Sequence, residues 1–128
     1  MPAALLVLVL VAFLPYLLAG LGGYLRIKQL GSFDNHHPRQ QASLLQGSGA
    51  RAMAAQSNAW EALALYTATI LVVWASGIAW EELATPALVF AIARVAHPIF
   101  YVADIAVART AAFLAGLFSC VYMISKAF

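Results

Sequence analysis

Hydrophobic positions along the chain gather into four long runs separated by polar breaks. A helix that crosses a bilayer needs about 20 mainly apolar residues. Stretches at about 4–25, 49–77, 86–106 and 108–126 meet that requirement. The first contains Pro15, which a membrane helix tolerates when its neighbours satisfy the freed carbonyl. The second begins with small and polar residues and becomes fully apolar after Glu61. The third opens on Thr85-Pro86, a start signal with Thr as N-cap and Pro at the first helical position. Residues 26–48 form the only long connection, with the turn formers Gly31, Asp34-Asn35, Pro38 and Gly47-Ser48-Gly49. The connection at Trp80-Glu81-Glu82 is short and acidic, and the one at 104–109 is shorter still. The pattern predicts an all-α integral membrane protein, a four-helix transmembrane bundle forming one domain over residues 1–128. It contains no soluble domain, internal repeat or low-complexity tract.

Composition agrees with that reading. Hydrophobic residues make up 64% of the chain and charged residues 9%, with a mean hydropathy of +0.87. Soluble domains are about half apolar and a quarter charged. A net charge of +2 gives no argument for nucleic acid. The lone cysteine, Cys120, excludes an intrachain disulfide framework, and in an apolar run it reads as a small buried hydrophobe. No Lys or Arg precedes the first run, which is also too long for the core of a signal peptide, so it is expected to stay as a membrane helix.

The basic residues set an orientation. Arg26, Lys28, Arg39 and Arg51 cluster at the first connection and Arg109 lies at the third, whereas the second has none. The positive-inside rule then places loops 26–48 and 104–109 in the cytoplasm and both termini outside. Lys126 is the exception. Trp74 and Trp80 fall near the outer interface, where aromatic belts form.

Within this frame the few intramembrane polar residues stand out, because ionisable groups in a bilayer need a partner or a task. They form two sets. Counting about 100° per residue, Asn58 lies about 20° and Glu61 about 80° from Arg51 around the second helix. On the third, His97 lies about 60°, Tyr101 about 20° and Asp104 about 80° from Arg94. Arg51 to Glu61 and Arg94 to Asp104 are both ten positions apart. Paired antiparallel, Arg51 comes level with Asp104 and Glu61 with Arg94, and Asn58 falls near His97 or Tyr101. The expectation is a buried ladder with opposite charges at both rungs. Polar residues also serve simply as glue between membrane helices. That reading is favoured for Glu61 and Arg94, while binding and structure weigh evenly for Arg51, Asn58, Tyr101 and Arg109. His36-His37 with Asp34 lacks the ligand spacing of a zinc site, and no metal is expected. No Gly-rich phosphate loop or nucleophile elbow occurs.

Taken together, these residues resemble the MAPEG family, the membrane-associated proteins in eicosanoid and glutathione metabolism. The likeness covers nearly the whole chain. It rests on size, four helices, a long first loop with Asp34-Asn35 and Pro38-Arg39, then Arg51, Asn58 and Glu61, and finally Arg94-Val95-Ala96-His97, Tyr101 and Arg109. The resemblance implies a homotrimer that binds glutathione in a cleft between subunits, open to the cytoplasm, while a lipophilic electrophile or hydroperoxide arrives from the bilayer. It implies that Arg51, Asn58, Glu61, Arg94, His97 and Tyr101 bind glutathione. It further implies that Arg109 activates the thiol, with Tyr101 a second candidate to donate to the thiolate. A guanidinium favours the thiolate, which is the nucleophile, and suits carboxylates through paired bonds.

Two positions depart from the family pattern. Ala50 stands where several members carry an acid, and Ala54 where some carry a second arginine. The expected activity is that of a microsomal-type glutathione transferase or peroxidase, with glutathione as co-substrate. A hydrophobic small molecule or lipid is the other partner, and a bacterial inner membrane the expected setting. The alternative is a non-catalytic protein of the same fold that binds lipid or another ligand. A small transporter has little support, since four helices leave little room for internal repeats.

Overall fold

Inside a bilayer every backbone N–H and C=O must find its partner within its own segment, and the four apolar runs accordingly close into helices. The computed structural model describes residues 1–128. Helix α1 spans Ala3–Leu30, a short α2 spans Pro38–Ala42, α3 spans Ser48–Ala75, α4 spans Ala84–Val102 and α5 spans Ala106–Ser125. A 3₁₀ turn at Trp80–Leu83 leads into α4. The four longer helices, with α4 taken from its 3₁₀ turn, are long and apolar enough to cross a membrane.

Boundaries differ from expectation where caps decide them. Helix α1 runs five residues further than the predicted 25, taking Arg26 and Lys28 into the helix. It stops at Gly31, whose φ of 83° is left-handed and whose N–H bonds Ile27 O at 3.0 Å. Glycine adopts that conformation without a Cβ penalty. The predicted cap at Thr85 is not used. Helix α4 starts two residues before the predicted 86, because the 3₁₀ turn at Trp80–Leu83 feeds into it. Pro86 then sits in the first turn, where the missing N–H has no partner to lose. Helix α4 ends at Val102 rather than 106, and α5 begins at Ala106 rather than 108. Between them, Ile105 N–H donates to Phe100 O at 2.9 Å and Asp104 N–H to Tyr101 O at 3.2 Å. This is a Schellman motif with Asp104, at φ 63°, in the left-handed position.

The first connection is shorter and more ordered than a 26–48 loop. Asp34 Oδ1 accepts the N–H groups of His36 at 2.8 Å and His37 at 3.0 Å. Buried Gln41 holds both ends of the turn, donating to Ser32 O at 2.8 Å and accepting from Asp34 N–H at 2.9 Å. Gln29 clasps the backbone of Gln46 with two 3.2 Å bonds.

Packing pairs α1 with α3 and α4 with α5 most extensively, and α3–α4 and α1–α4 contacts join the two pairs. The larger apolar cluster fills the end away from the long connection. There Tyr66 stacks on Phe90 at 4.3 Å and donates to Ala4 O at 3.1 Å. Cys120 is buried in this cluster, in keeping with a packing role. A smaller cluster of Leu14, Leu18, Ala55 and Ala59 packs with Tyr101. Leu17, Leu71, Trp74 and Phe118 are exposed on the outer faces, as lipid-facing helices require.

Candidate functional site

The polar residues of α3 and α4 meet along the seam between those helices, on the side toward α5. At the loop end, Arg51 Nη1 lies 3.6 Å from Asp104 Oδ2, and Arg51 Nε donates to Val102 O at 3.1 Å. The first rung of the expected ladder is therefore present, but exposed rather than buried. The second is not. Arg94 Nη2 donates to the side-chain oxygen of Asn58 and, at 3.5 Å, to its backbone carbonyl. Asn58 Nδ2 in turn donates to Glu61 Oε2 at 3.4 Å. Arg94 and Glu61 thus communicate through an amide instead of pairing directly, and Asn58 sits against Arg94 rather than His97 or Tyr101. Asn58 falls almost in line with Arg51 on α3, whereas Glu61 is turned about 80° away.

Asn58, Glu61 and Arg94 form the polar end of a pocket of about 200 Å³, walled by Phe90, Phe113 and Gly116 among others. Arg94 is 3% exposed and its Nε has no partner. An unpaired donor on a buried cation is costly; the Nε itself is enclosed by protein, and it is Nη2 that bonds Asn58. Gly116 makes room for the arginine: a Cβ there would come 3.3 Å from Arg94 Cδ. Glu61 is exposed at the surface of the bundle although it lies mid-span. A bare carboxylate facing lipid is unfavourable, so a ligand or a second protein surface is needed beside it.

Nearer the loop end, the Arg109 guanidinium lies over the Tyr101 ring, 4.6 Å from its centroid. Buried His97 meets the same ring edge-on at 5.5 Å, and its Nδ1 has no partner. All seven residues singled out in the sequence therefore line the α3–α4 seam or its junction with α5. Going inward from the loop end, Arg51 comes first, the Tyr101–Arg109 pair follows and the Arg94–Asn58 contact is deepest.

Two residues escaped the sequence reading. Arg26 is 8% exposed, its Nη2 reaches Met53 Sδ at 3.9 Å, its Cζ sits 5.2 Å from the Phe33 ring, and its Nε is unpartnered. Its contact Met53 is about 200° from Arg51 around α3, so Arg26 serves the opposite side of that helix. It continues the Leu14, Leu18, Gly22 face of α1, and that spacing was the available signal. Gly116 was the other omission. It shares the face of Ala112, Ser119 and Cys120 on α5, a row of small residues against which a large side chain can lie.

No curated protein and no solved structure matches the chain. The family model described as MAPEG matches residues 3–128. With four helices able to cross a membrane and a match over nearly its whole length, the chain belongs to the MAPEG family, as an integral membrane protein of the glutathione and eicosanoid metabolism group.

Proposed function

We propose that this protein is a membrane-bound glutathione transferase in which the α3–α4 seam holds the tripeptide and Arg109 stabilises its thiolate. The observation that supports this best is the order of the three arginines. Arg51 and Asn58, the residue Arg94 grips, are seven positions apart on α3, or about 10 Å along the axis. Arg109 lies between these levels on Tyr101. A tripeptide with a carboxylate at each end and a thiol in the middle matches that order. In this reading Arg51 takes one terminal carboxylate, and the Arg94 guanidinium takes the other. Glu61 receives the ammonium group, and Arg109 faces the sulfur. Asn58 and His97 hold the deep end in place.

The thiol gives its proton to solvent, favoured by the adjacent guanidinium. The thiolate then forms a carbon–sulfur bond to a lipophilic electrophile, whose leaving group departs with the bonding pair. Exposed Glu61 within the span supports a homotrimer in which a neighbouring subunit closes the cleft. The cluster of basic residues at the loop end supports an opening toward the cytoplasm with both termini outside, in a membrane such as a bacterial inner membrane.

Calorimetric titration of glutathione into the detergent-purified protein tests this reading. Saturable binding that Arg51→Ala abolishes supports it. No binding at millimolar glutathione, from a protein shown to be folded and trimeric, would overturn it in favour of a non-catalytic protein that binds lipid or another ligand in the same cleft.

A further inference from the structure

The contact between Tyr101 and Arg109 follows from the turn that joins their helices. Tyr101 is in the last turn of α4, and its carbonyl accepts the N–H of left-handed Asp104 at 3.2 Å. Phe100 O accepts the N–H of Ile105 at 2.9 Å. The chain reverses over Ala103, Asp104 and Ile105, and α5 begins at Ala106. Arg109, three residues into α5, returns to the level of Tyr101. Its Cζ settles 4.6 Å from the ring centroid. The ring is itself fixed from two other directions. His97 meets it edge-on, with centroids 5.5 Å apart and planes at 68°, and the Leu14, Leu18, Ala55 and Ala59 cluster packs against it.

An arginine this close to a membrane–water boundary has an alternative place to go. Its long stem lets the guanidinium swing outward to water and headgroups. An aromatic face within about 6 Å attracts the cation through the ring quadrupole, and more strongly where water is excluded. Nothing in that attraction needs the phenolic hydroxyl. Here the face is occupied by the cation.

We propose that Tyr101 is a positioning residue, whose ring face holds the Arg109 guanidinium at the depth of the reacting sulfur, and that this role does not require its hydroxyl. This rests on the reading of Arg109 as thiolate stabiliser, and it separates two roles that the sequence left joined. His97 supports the platform by blocking rotation of the ring, which gives that buried imidazole a task that requires no ligand.

The test compares Tyr101→Leu with Tyr101→Phe in the intact protein, with two readouts. The first is the ultraviolet absorbance of bound glutathione thiolate as a function of pH. Tyr101→Leu raises the pH at which the thiolate appears and lowers turnover about tenfold, and Tyr101→Phe rescues both toward wild type. The second is the Nε–Hε NMR resonance of Arg109, assigned by its loss in Arg109→Lys. It is shifted upfield by the ring in wild type and in Tyr101→Phe, and the shift is absent in Tyr101→Leu. If Tyr101→Phe is as impaired as Tyr101→Leu, the hydroxyl is the active group and the proposal is overturned. If neither variant is impaired, the ring holds nothing of consequence and the proposal is overturned as well. If wild type binds no glutathione, the functional reading fails, and the NMR arm alone decides. An unshifted Arg109 resonance then overturns the platform, and a shifted one that Tyr101→Leu abolishes upholds it.

Discussion

Arg94 reaches Glu61 only through Asn58. The guanidinium donates to the amide oxygen, and the amide nitrogen donates to the carboxylate at 3.4 Å. An amide suits this place because it offers an acceptor to one side and donors to the other. Asn58→Leu leaves a buried cation and a mid-span carboxylate without that link. Hydrogen bonds to charged groups contribute about 1.5–3 kcal/mol each, so the melting temperature in detergent should drop by several degrees. Combining Asn58→Asp with Glu61→Gln exchanges the carboxylate and the amide while keeping the chain of donors and acceptors. That double variant should recover most of the loss, and no recovery would show that the relay does not hold the two helices together.

The other rung behaves differently, because it is wet. Arg51 and Asp104 are 31% and 69% exposed at 3.6 Å, and exposed pairs contribute about 0–1 kcal/mol. Asp104 also carries the cost of a left-handed backbone at φ 63°, which glycine avoids. Asp104→Gly therefore loses a weak ion pair and gains backbone relief, for a net change within about 1 kcal/mol. Asp104→Val keeps neither benefit and strains a β-branched residue at positive φ, so it should cost more. Equal melting temperatures for the two variants would show that the left-handed turn does not set the cost of substitution here.

The contrast between the rungs shows which features could be read from the chain. The spans were legible because bilayer crossing depends on length and mean polarity, which are local quantities. The Arg51–Asp104 rung was legible because the matching ten-residue spacings in two antiparallel helices set its level. The Arg94 partner was not. Asn58 and Glu61 differ by three residues, about 4.5 Å of rise and 60° of rotation, and choosing between them requires the rotation of each helix about its own axis. A charge ends an apolar count, which places Arg26 in a loop, although it continues the buried face of α1. Asp104 as a helix stop was illegible for a related reason: aspartate tolerates the left-handed region without demanding it.

At the opposite end of the bundle, Lys126 Nζ donates to Glu82 Oε2 at 2.9 Å, tying the last residues of the chain to the 3₁₀ turn before α4. That hydrogen bond raises the pKa of the lysine above its ordinary value. A raised folded value means the stabilisation is fully present below the usual lysine pKa of about 10.4 and is lost as pH rises through the folded value. The melting temperature of wild type should therefore fall at strongly alkaline pH by a step that Lys126→Met lacks. Superimposable alkaline limbs would mean that this pair contributes nothing to stability.

Gly116 separates folding from binding. Alanine in a helix interior is favoured over glycine by about 1 kcal/mol, which predicts a melting temperature for Gly116→Ala at or slightly above wild type. The new Cβ, however, would stand 3.3 Å from Arg94 Cδ and 3.7 Å from Phe90 Cδ2. The arginine must then move by a few tenths of an ångström, which disturbs its contact with Asn58 and the polar end of the pocket. Glutathione affinity measured by calorimetry should weaken about tenfold, the scale of one charged hydrogen bond. A variant both less stable and unchanged in affinity would mean that the pocket, not the arginine, accommodates the methyl group.

Arg109 offers the clearest division between a catalytic and a purely structural seam. It lies on the Tyr101 ring at 4.6 Å and forms no salt bridge within the chain, so removing it strands no buried carboxylate partner. If it stabilises a thiolate, its contribution grows as charge develops on sulfur, and such groups are worth about 10²-fold or more in turnover. Arg109→Ala should then lower turnover by about that factor while changing the glutathione dissociation constant by less than about tenfold, since the terminal carboxylates are held elsewhere. Arg109→Lys keeps the charge but presents a compact, strongly hydrated ammonium in place of a planar fork, and should fall between the two. A steady-state assay paired with calorimetry on the same preparations decides the matter. Equal losses in both quantities would make Arg109 a binding residue, and unchanged turnover would take it out of the chemistry.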